Sequence, residues 1–340
     1  MIHAQPIAGE ELSVVKLHST RLNRRSFLAI AASFAALESD ARAASIPIID
    51  THIHLFDTRR PEGVPWPDKK DTILYRPALP DRYSKIAGPL GVAGAIAIEA
   101  SPLLEDNQWV LNVAAKNTVI VGTVGNLEPG KPDFARHLER FHRNPLFLGI
   151  RYGDLWDRNL GKELSKPGFI SDLKLLASAG LMLDTYIPNP ALITDLVRLT
   201  DKAPSLRVVI DHLPELDPPK DSQARKAFQS TLRELGKRPQ VYVKLSALLR
   251  RVDGRVPQDL HFYSPMLDEL CSFFGENQVM YGSDWPNSDL LAPYEQLLNV
   301  VRQYFTAKGP MIAEKFFWRN SVAAYRWVKR DRNQPQLNHA

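Results

Sequence analysis

From residue 47 onward, short apolar runs rich in β-branched residues alternate with amphipathic stretches of helical period. Eight runs read as strands: Pro47–Leu55, Val92–Ser101, Thr118–Leu127, Phe147–Gly153, Leu181–Pro188, Arg207–Pro214, Val241–Leu249 and Val279–Pro286. The stretches Leu104–Asn117, Phe134–Asn144, Phe169–Ala179, Ala191–Ala203, Ala224–Lys237 and Pro265–Phe274 fall between them and read as helices. Pro293–Lys308 follows the eighth strand, and Ile312–Lys329 closes the pattern. Proline and glycine mark the joins, among them Pro132, Pro145, Gly180, Pro204, Gly275 and Gly309.

Eight strand–helix units in succession predict an α/β protein, a (β/α)8 barrel. A doubly wound open sheet is the competing architecture, but it normally carries a glycine-rich phosphate loop after the first strand. Here that strand ends in His52-Ile53-His54-Leu55-Phe56-Asp57, without a glycine. The longest loop, Phe56–Pro80, holds five prolines and Trp66. Placed after strand 1, it reads as a lid over the barrel mouth.

Composition narrows the field. The 340 residues are 44% hydrophobic and 24% charged, enough for one large barrel with a sizeable core. The net charge of +5 is scattered, with no basic stripe interleaved with aromatics, so nucleic acid is not an expected partner. A single cysteine, Cys271, excludes an internal disulfide framework and a cysteine-rich metal site. Residues 1–43 stand apart. Arg24-Arg25-Ser26-Phe27-Leu28 leads into the apolar segment Phe27–Leu37, and Ala41-Arg42-Ala43 supplies a small-x-small cleavage site. This pattern resembles a twin-arginine export signal. It predicts a mature protein of residues 44–340, handled by the twin-arginine machinery and delivered to the periplasm or beyond. No other apolar run approaches the length of a membrane span. A small molecule is the expected partner, and a homodimer stays open.

The candidate chemistry begins at Ile48-Ile49-Asp50-Thr51-His52-Ile53-His54. Strand alternation puts His52 and His54 on one face, with Asp50 below them. Neutral imidazoles at that spacing can converge on one ion or water. Two half-buried core histidines are the bland alternative. In a (β/α)8 barrel the C-terminal strand ends carry the chemistry. Read in order, they offer His52 and His54, Glu99, Asn126, Arg151, Tyr186, His212, Lys244 with Ser246, and Asp284. Each has a bland reading alone: Glu99 as a solvated strand end, Arg151 paired on the surface, Lys244 snorkelling outward between helices. Independent sequences do not often place a titratable residue at nearly every such position.

Asp50-Thr51-His52-Ile53-His54, Val209-Ile210-Asp211-His212-Leu213, Val243-Lys244-Leu245-Ser246 and Tyr281-Gly282-Ser283-Asp284-Trp285-Pro286 resemble the strand-end motifs of the amidohydrolase-related metal-dependent hydrolases. Within them the chain is most similar to the sugar-lactonase and 2-pyrone-4,6-dicarboxylate lactonase branch, to which Glu105-Asp106-Asn107 and Gly149-Ile150-Arg151 also correspond. The resemblance covers residues 46–330 and implies a (β/α)8 barrel. It implies one divalent ion, zinc, held within the set His52, His54, Glu99, His212 and Asp284. Two departures bear on that ion. Phe147–Gly153 lacks the lysine that bridges two metals in relatives, and Pro188-Asn189-Pro190 stands where many place a histidine.

The activity implied is opening of a lactone of a sugar acid or dicarboxylate by activated water. Asp284 acts as general base and then acid. His52 and His54 polarise the carbonyl or bind the metal, and His212 is a ligand or oxyanion donor. Arg151, Lys244, Tyr186 and Trp285 are the expected substrate contacts. Non-oxidative decarboxylation by the same constellation is the alternative, and a barrel that only binds a ligand is a third reading.

Overall fold

A computed structural model describes residues 46–186 and 189–337. The export leader read at residues 1–43 and the strand end at Pro188 lie outside the described residues.

All eight expected strands form: β1 (Ile48–His54), β2 (Val92–Ile98), β3 (Ile120–Gly125), β4 (Phe147–Arg151), β5 (Met182–Tyr186), β6 (Arg207–Asp211), β7 (Val241–Leu245) and β8 (Val279–Tyr281). They pair in parallel in sequence order. β1 then meets the chain that leaves β8: Ile53 bridges Trp285, Asp284 N donates to His52 O at 2.9 Å and His54 N to Trp285 O at 2.8 Å. The sheet is thereby closed into a (β/α)8 barrel. Its strands are buried on both faces, which is why they read as continuous apolar runs.

The strands stop sooner than their apolar runs suggest. Glu99, Asn126, His212, Ser246 and Asp284 sit just past the regular ladders. His212 and Asp284 adopt left-handed φ values of 53° and 59°. This conformation costs a non-glycine residue about 1–3 kcal/mol and clusters where side chains must be aimed.

The outer helices follow their apolar spacing. In α3 (Phe134–His142), Phe134, Leu138 and Phe141 are buried at i, i+4 and i+7. α2 (Leu104–Lys116), α5 (Pro167–Ser178), α6 (Ile193–Lys202), α7 (Ser222–Gly236) and α9 (Tyr294–Ala307) lie near their expected bounds. α1 (Pro80–Ala87) and the single turn α4 (Leu160–Glu163) are not in the predicted pattern. α8 (Leu260–Phe274) starts five residues before Pro265, because Asp259 caps it by accepting from His261 N at 2.9 Å. The terminal helix expected over Ile312–Lys329 is divided into α10 (Pro310–Glu314), a π turn at Lys315–Arg319 and α11 (Asn320–Tyr325). The π turn stacks Phe316 on Phe305 and brings Phe316 and Phe317 against Tyr281.

Asp50 is placed differently from its expected position below the histidine pair. The β1–β2 register shifts between Asp50 and Ile53, breaking the alternation. The Asp50 carboxylate accepts instead from the Tyr83 and Tyr294 hydroxyls, each at 2.9 Å, and from Ser283 N at 2.8 Å. It thus fastens β1 to the β8 exit and to helices α1 and α9. Burial pushes its pKa up, and the hydrogen bonds oppose that rise. Tyr294→Phe removes one donor from this buried carboxylate. We expect a loss of about 1–3 kcal/mol in urea unfolding; an unchanged midpoint would show that Asp50 is not the closure clasp.

The loop after β1 lies at the barrel mouth, as expected of a lid. Phe56 and Ala78 exchange both backbone hydrogen bonds at its base. Trp66 packs edge-on against His54 at 5.5 Å and Phe56 at 5.2 Å. Among the described residues no helix is long and apolar enough to cross a membrane.

Candidate active site

Three imidazoles and one carboxylate meet at the C-terminal mouth. His52 and His54 project inward from β1, and their Nε2 atoms are 3.2 Å apart. His212 enters from the turn after β6 and Asp284 from the turn after β8. Asp284 Oδ1 lies 3.4 Å from His54 Nε2 and 3.7 Å from the Nε2 atoms of both His52 and His212. Gly282 makes the approach possible, since a Cβ there would sit 2.9 Å from His52 Cβ and 3.1 Å from Ser246 Cβ.

Each group is held from behind. His54 Nδ1 is 3.2 Å from both Ile98 O and Glu99 O, so its proton is donated there and Nε2 is left facing the cavity. His212 Nδ1 pairs with Ser246 Oγ at 2.8 Å. Asn287 Nδ2 donates to Asp284 Oδ1 at 3.2 Å. Burial lowers the pKa of His52 well below the usual histidine range, with Lys244 adding to it, and lowers His212 to about 4. Burial would raise Asp284, but His212, His54 and His52 outweigh it and hold the carboxyl well below its ordinary value. Near neutral pH the site therefore contains a carboxylate beside two neutral imidazoles.

The donor chemistry fits one divalent ion. His52, His54 and Asp284 each offer a ligand atom within 4.8 Å of the others. Two ring nitrogens and one carboxylate oxygen leave a fourth position open, the pattern of a catalytic site rather than a structural one.

His54, Glu99, Arg151, Tyr186, His212 and Asp284 line one cavity of about 470 Å³, with Trp66, Trp156 and Glu215 completing much of its wall. This volume suits a small-molecule substrate. The guanidinium of Arg151 is 5.4 Å from the Tyr186 ring centroid.

Three expected roles are corrected. Lys244 neither contacts the cavity nor snorkels outward. It is fully buried beneath His52, with Nζ 2.5 Å from Asp184 Oδ2 and 3.0 Å from Asp211 Oδ1. Trp285 is also fully buried, behind the site, packed on Tyr83 at 5.3 Å and under Arg82 at 4.9 Å. It closes the barrel and leaves substrate contact to other residues. Glu99 reaches the cavity but lies outside the converging donor groups; its two oxygens each accept from Trp156 Nε1 at 3.0 Å.

Asp184 and Asp211 were not expected among the site residues. Asp211 Oδ2 also meets Arg151 Nε at 2.9 Å, and Tyr325 Oη donates to Asp184 Oδ1 at 2.8 Å. Charged residues inside the apolar strands β5 and β6 were the available signal. Asn287 opens a short 3-10 turn and Trp156 lies in a loop, and neither carried one.

Residues 49–327 match the amidohydrolase family model, and the chain belongs to that family. It is an enzyme of the amidohydrolase class. The chain is 29% identical over 247 residues to L-fucono-1,5-lactonase of Burkholderia ambifaria, spanning 71% of this chain and 81% of that protein. A zinc-bound amidohydrolase from Burkholderia multivorans superposes with a TM-score of 0.73 at 22% identity, covering 83% of this chain and all of the other. A putative 2-pyrone-4,6-dicarboxylic acid hydrolase from Pseudomonas putida gives 0.65 at 20% identity, over 83% of this chain and 98% of the other.

Proposed function

We propose that this enzyme opens a lactone of a neutral polyhydroxy acid by attack of water. The observation that carries the reading is Asp284, ionised and held among His52, His54 and His212 at the floor of the cavity. Asp284 accepts a proton from water as the water oxygen bonds to the lactone carbonyl carbon. The guanidinium of Arg151 donates to the oxygen on which charge develops. When the carbon–oxygen ring bond breaks, Asp284 returns the proton to the departing alkoxide, giving a free hydroxy acid. His52, His54 and Asp284 are the residues that would hold a divalent ion, zinc by donor type, and the ion would polarise the carbonyl or acidify water.

The charge of the cavity favours one branch of substrates. Its described lining carries three carboxylates, Glu99, Glu215 and Asp284, against one guanidinium, Arg151. That cation is already paired with Asp211. A lactone bearing two carboxylates would meet a repulsive field, whereas hydroxyl groups find acceptors. The carboxylate formed by ring opening is repelled by the same groups, which speeds its release.

The test is a panel of aldono-1,5-lactones and dicarboxylate lactones followed by acid release, with carbon dioxide measured in parallel. Each assay is run with and without chelator. We expect turnover of the neutral polyhydroxy lactones. Turnover confined to dicarboxylate lactones would defeat the charge argument, and carbon dioxide release without ring opening would defeat the reading as a whole.

A further inference from the structure

Lys244 is a charged residue at the bottom of an active site that the proposed chemistry does not use. Its ammonium donates to Asp184 Oδ2 at 2.5 Å and to His52 Nδ1 at 3.3 Å, and forms an ion pair with Asp211 Oδ1 at 3.0 Å. The carboxylates stand on β5 and β6, His52 on β1, and none of the four side chains has measurable exposure to solvent. Asp211 is the other group near that ring nitrogen, but its Oδ1 is 3.5 Å away, beyond good hydrogen-bond length, and its 3.0 Å contact with Lys244 is an ion pair.

We propose that Lys244 is a positioning residue that fixes the proton of His52 on Nε2 and thereby weakens binding of a divalent ion at the mouth. An ammonium can only donate, so Nδ1 must present its lone pair and the ring proton resides on Nε2. There it points at His54 Nε2, 3.2 Å away. That nitrogen is free to accept, because His54 donates its own proton from Nδ1 to the carbonyls of Ile98 and Glu99. The run from Lys244 through His52 and His54 to the β2 carbonyls then passes from donor to acceptor at each step. An ion arriving at His52, His54 and Asp284 must displace the bridging proton. The proton then moves to Nδ1 of His52, and Lys244 gives up its hydrogen bond to that nitrogen to let Asp211 accept instead. No proton is gained or lost, but one buried hydrogen bond is exchanged for a longer one. The ion also faces the positive charge of Lys244 across the ring.

Two variants separate tautomer control from simple charge repulsion. Lys244→Met removes the donor and the charge. Lys244→Met with Asp184→Asn removes the donor while leaving the net charge of the buried cluster unchanged from the wild type, and spares the core an unpaired carboxylate if the single variant does not fold. The ring nitrogens of His52 are read in ¹⁵N-labelled, chelator-treated protein by long-range nitrogen–proton correlation, assigned with His52→Gln. Zinc affinity is measured with Zn²⁺ alone by competition against a chromophoric chelator. We expect the Nε2–H tautomer in the wild type, the Nδ1–H tautomer in the double variant, and at least tenfold tighter zinc binding in the double variant. A wild-type His52 protonated on Nδ1 overturns the proposal. So does a folded double variant whose zinc affinity is no higher than that of the wild type, since charge alone would then account for any gain in the single variant.

Discussion

Asp284→Asn lowers kcat by a factor of 10² to 10⁴ while the protein folds normally and KM moves little. The factor is the usual contribution of a positioned acid–base group, equivalent to about 3–5 kcal/mol of barrier. Asparagine keeps the shape and the acceptor oxygen for Asn287 Nδ2, which lies 3.2 Å from Asp284 Oδ1. It also tolerates the left-handed backbone at φ 59° better than other replacements. What it lacks is the ability to take a proton from water and return it to the alkoxide. The environment argues that no neighbour can substitute fully. The neighbouring rings are committed through their other nitrogen, His212 Nδ1 to Ser246 Oγ and His54 Nδ1 to the carbonyls of Ile98 and Glu99. Single-turnover and steady-state assays on a lactone that the wild type hydrolyses give the measurement. Retention of more than roughly a tenth of wild-type kcat, a penalty of only about 1.4 kcal/mol, would remove Asp284 from the role.

The barrel was legible because its signal is repeated eight times. Each apolar run was correctly placed, and only the ends were misjudged, since Glu99, His212 and Asp284 already lie past the paired ladder, the latter two in left-handed backbone. The mouth residues were legible for a related reason. His52 and His54 share a face by strand alternation, His212 follows β6 directly, and Asp284 follows β8 after Gly282 and Ser283. What the pattern could not convey was depth. Lys244 lies one position before the end of β7, within the barrel, and only the neighbouring strands reveal that two carboxylates await it at 2.5 and 3.0 Å. Asp50 was misplaced because a register shift in β1 is invisible to a period-2 argument. Trp285 looked like a pocket wall, yet the bridge from Ile53 draws it into the closing ladder. Glu99 was correctly brought to the mouth, but Trp156 arrives from a loop no periodicity describes and takes its oxygens.

Asp211→Ala is expected to be the most destabilising single change near the site, costing about 3–5 kcal/mol in urea unfolding. Asp211 bridges two buried cations, Lys244 at 3.0 Å and Arg151 at 2.9 Å, and its side chain has no exposure. Removing it leaves both cations to share Asp184, and an uncompensated buried charge is what makes breaking such a pair costly. The contrast is the bidentate pair of Glu105 and Arg140, at 2.8 Å but solvent-exposed. Glu105→Ala should cost no more than about 1 kcal/mol, because water replaces the lost partner. Acid unfolding adds a second reading. Burial pushes the Asp211 pKa up, but Lys244, His52 and Arg151 overcome it and hold the group well below its usual 3.8. A carboxylate depressed on folding contributes stability that is fully present above its unfolded pKa, near 4, and is lost as pH falls toward the folded value. The wild type should therefore lose its advantage over Asp211→Ala only below about pH 4. An Asp211→Ala protein within about 1 kcal/mol of wild type at neutral pH would mean that Lys244 and Arg151 find other partners. The layer beneath His52 would then be more plastic than its distances imply.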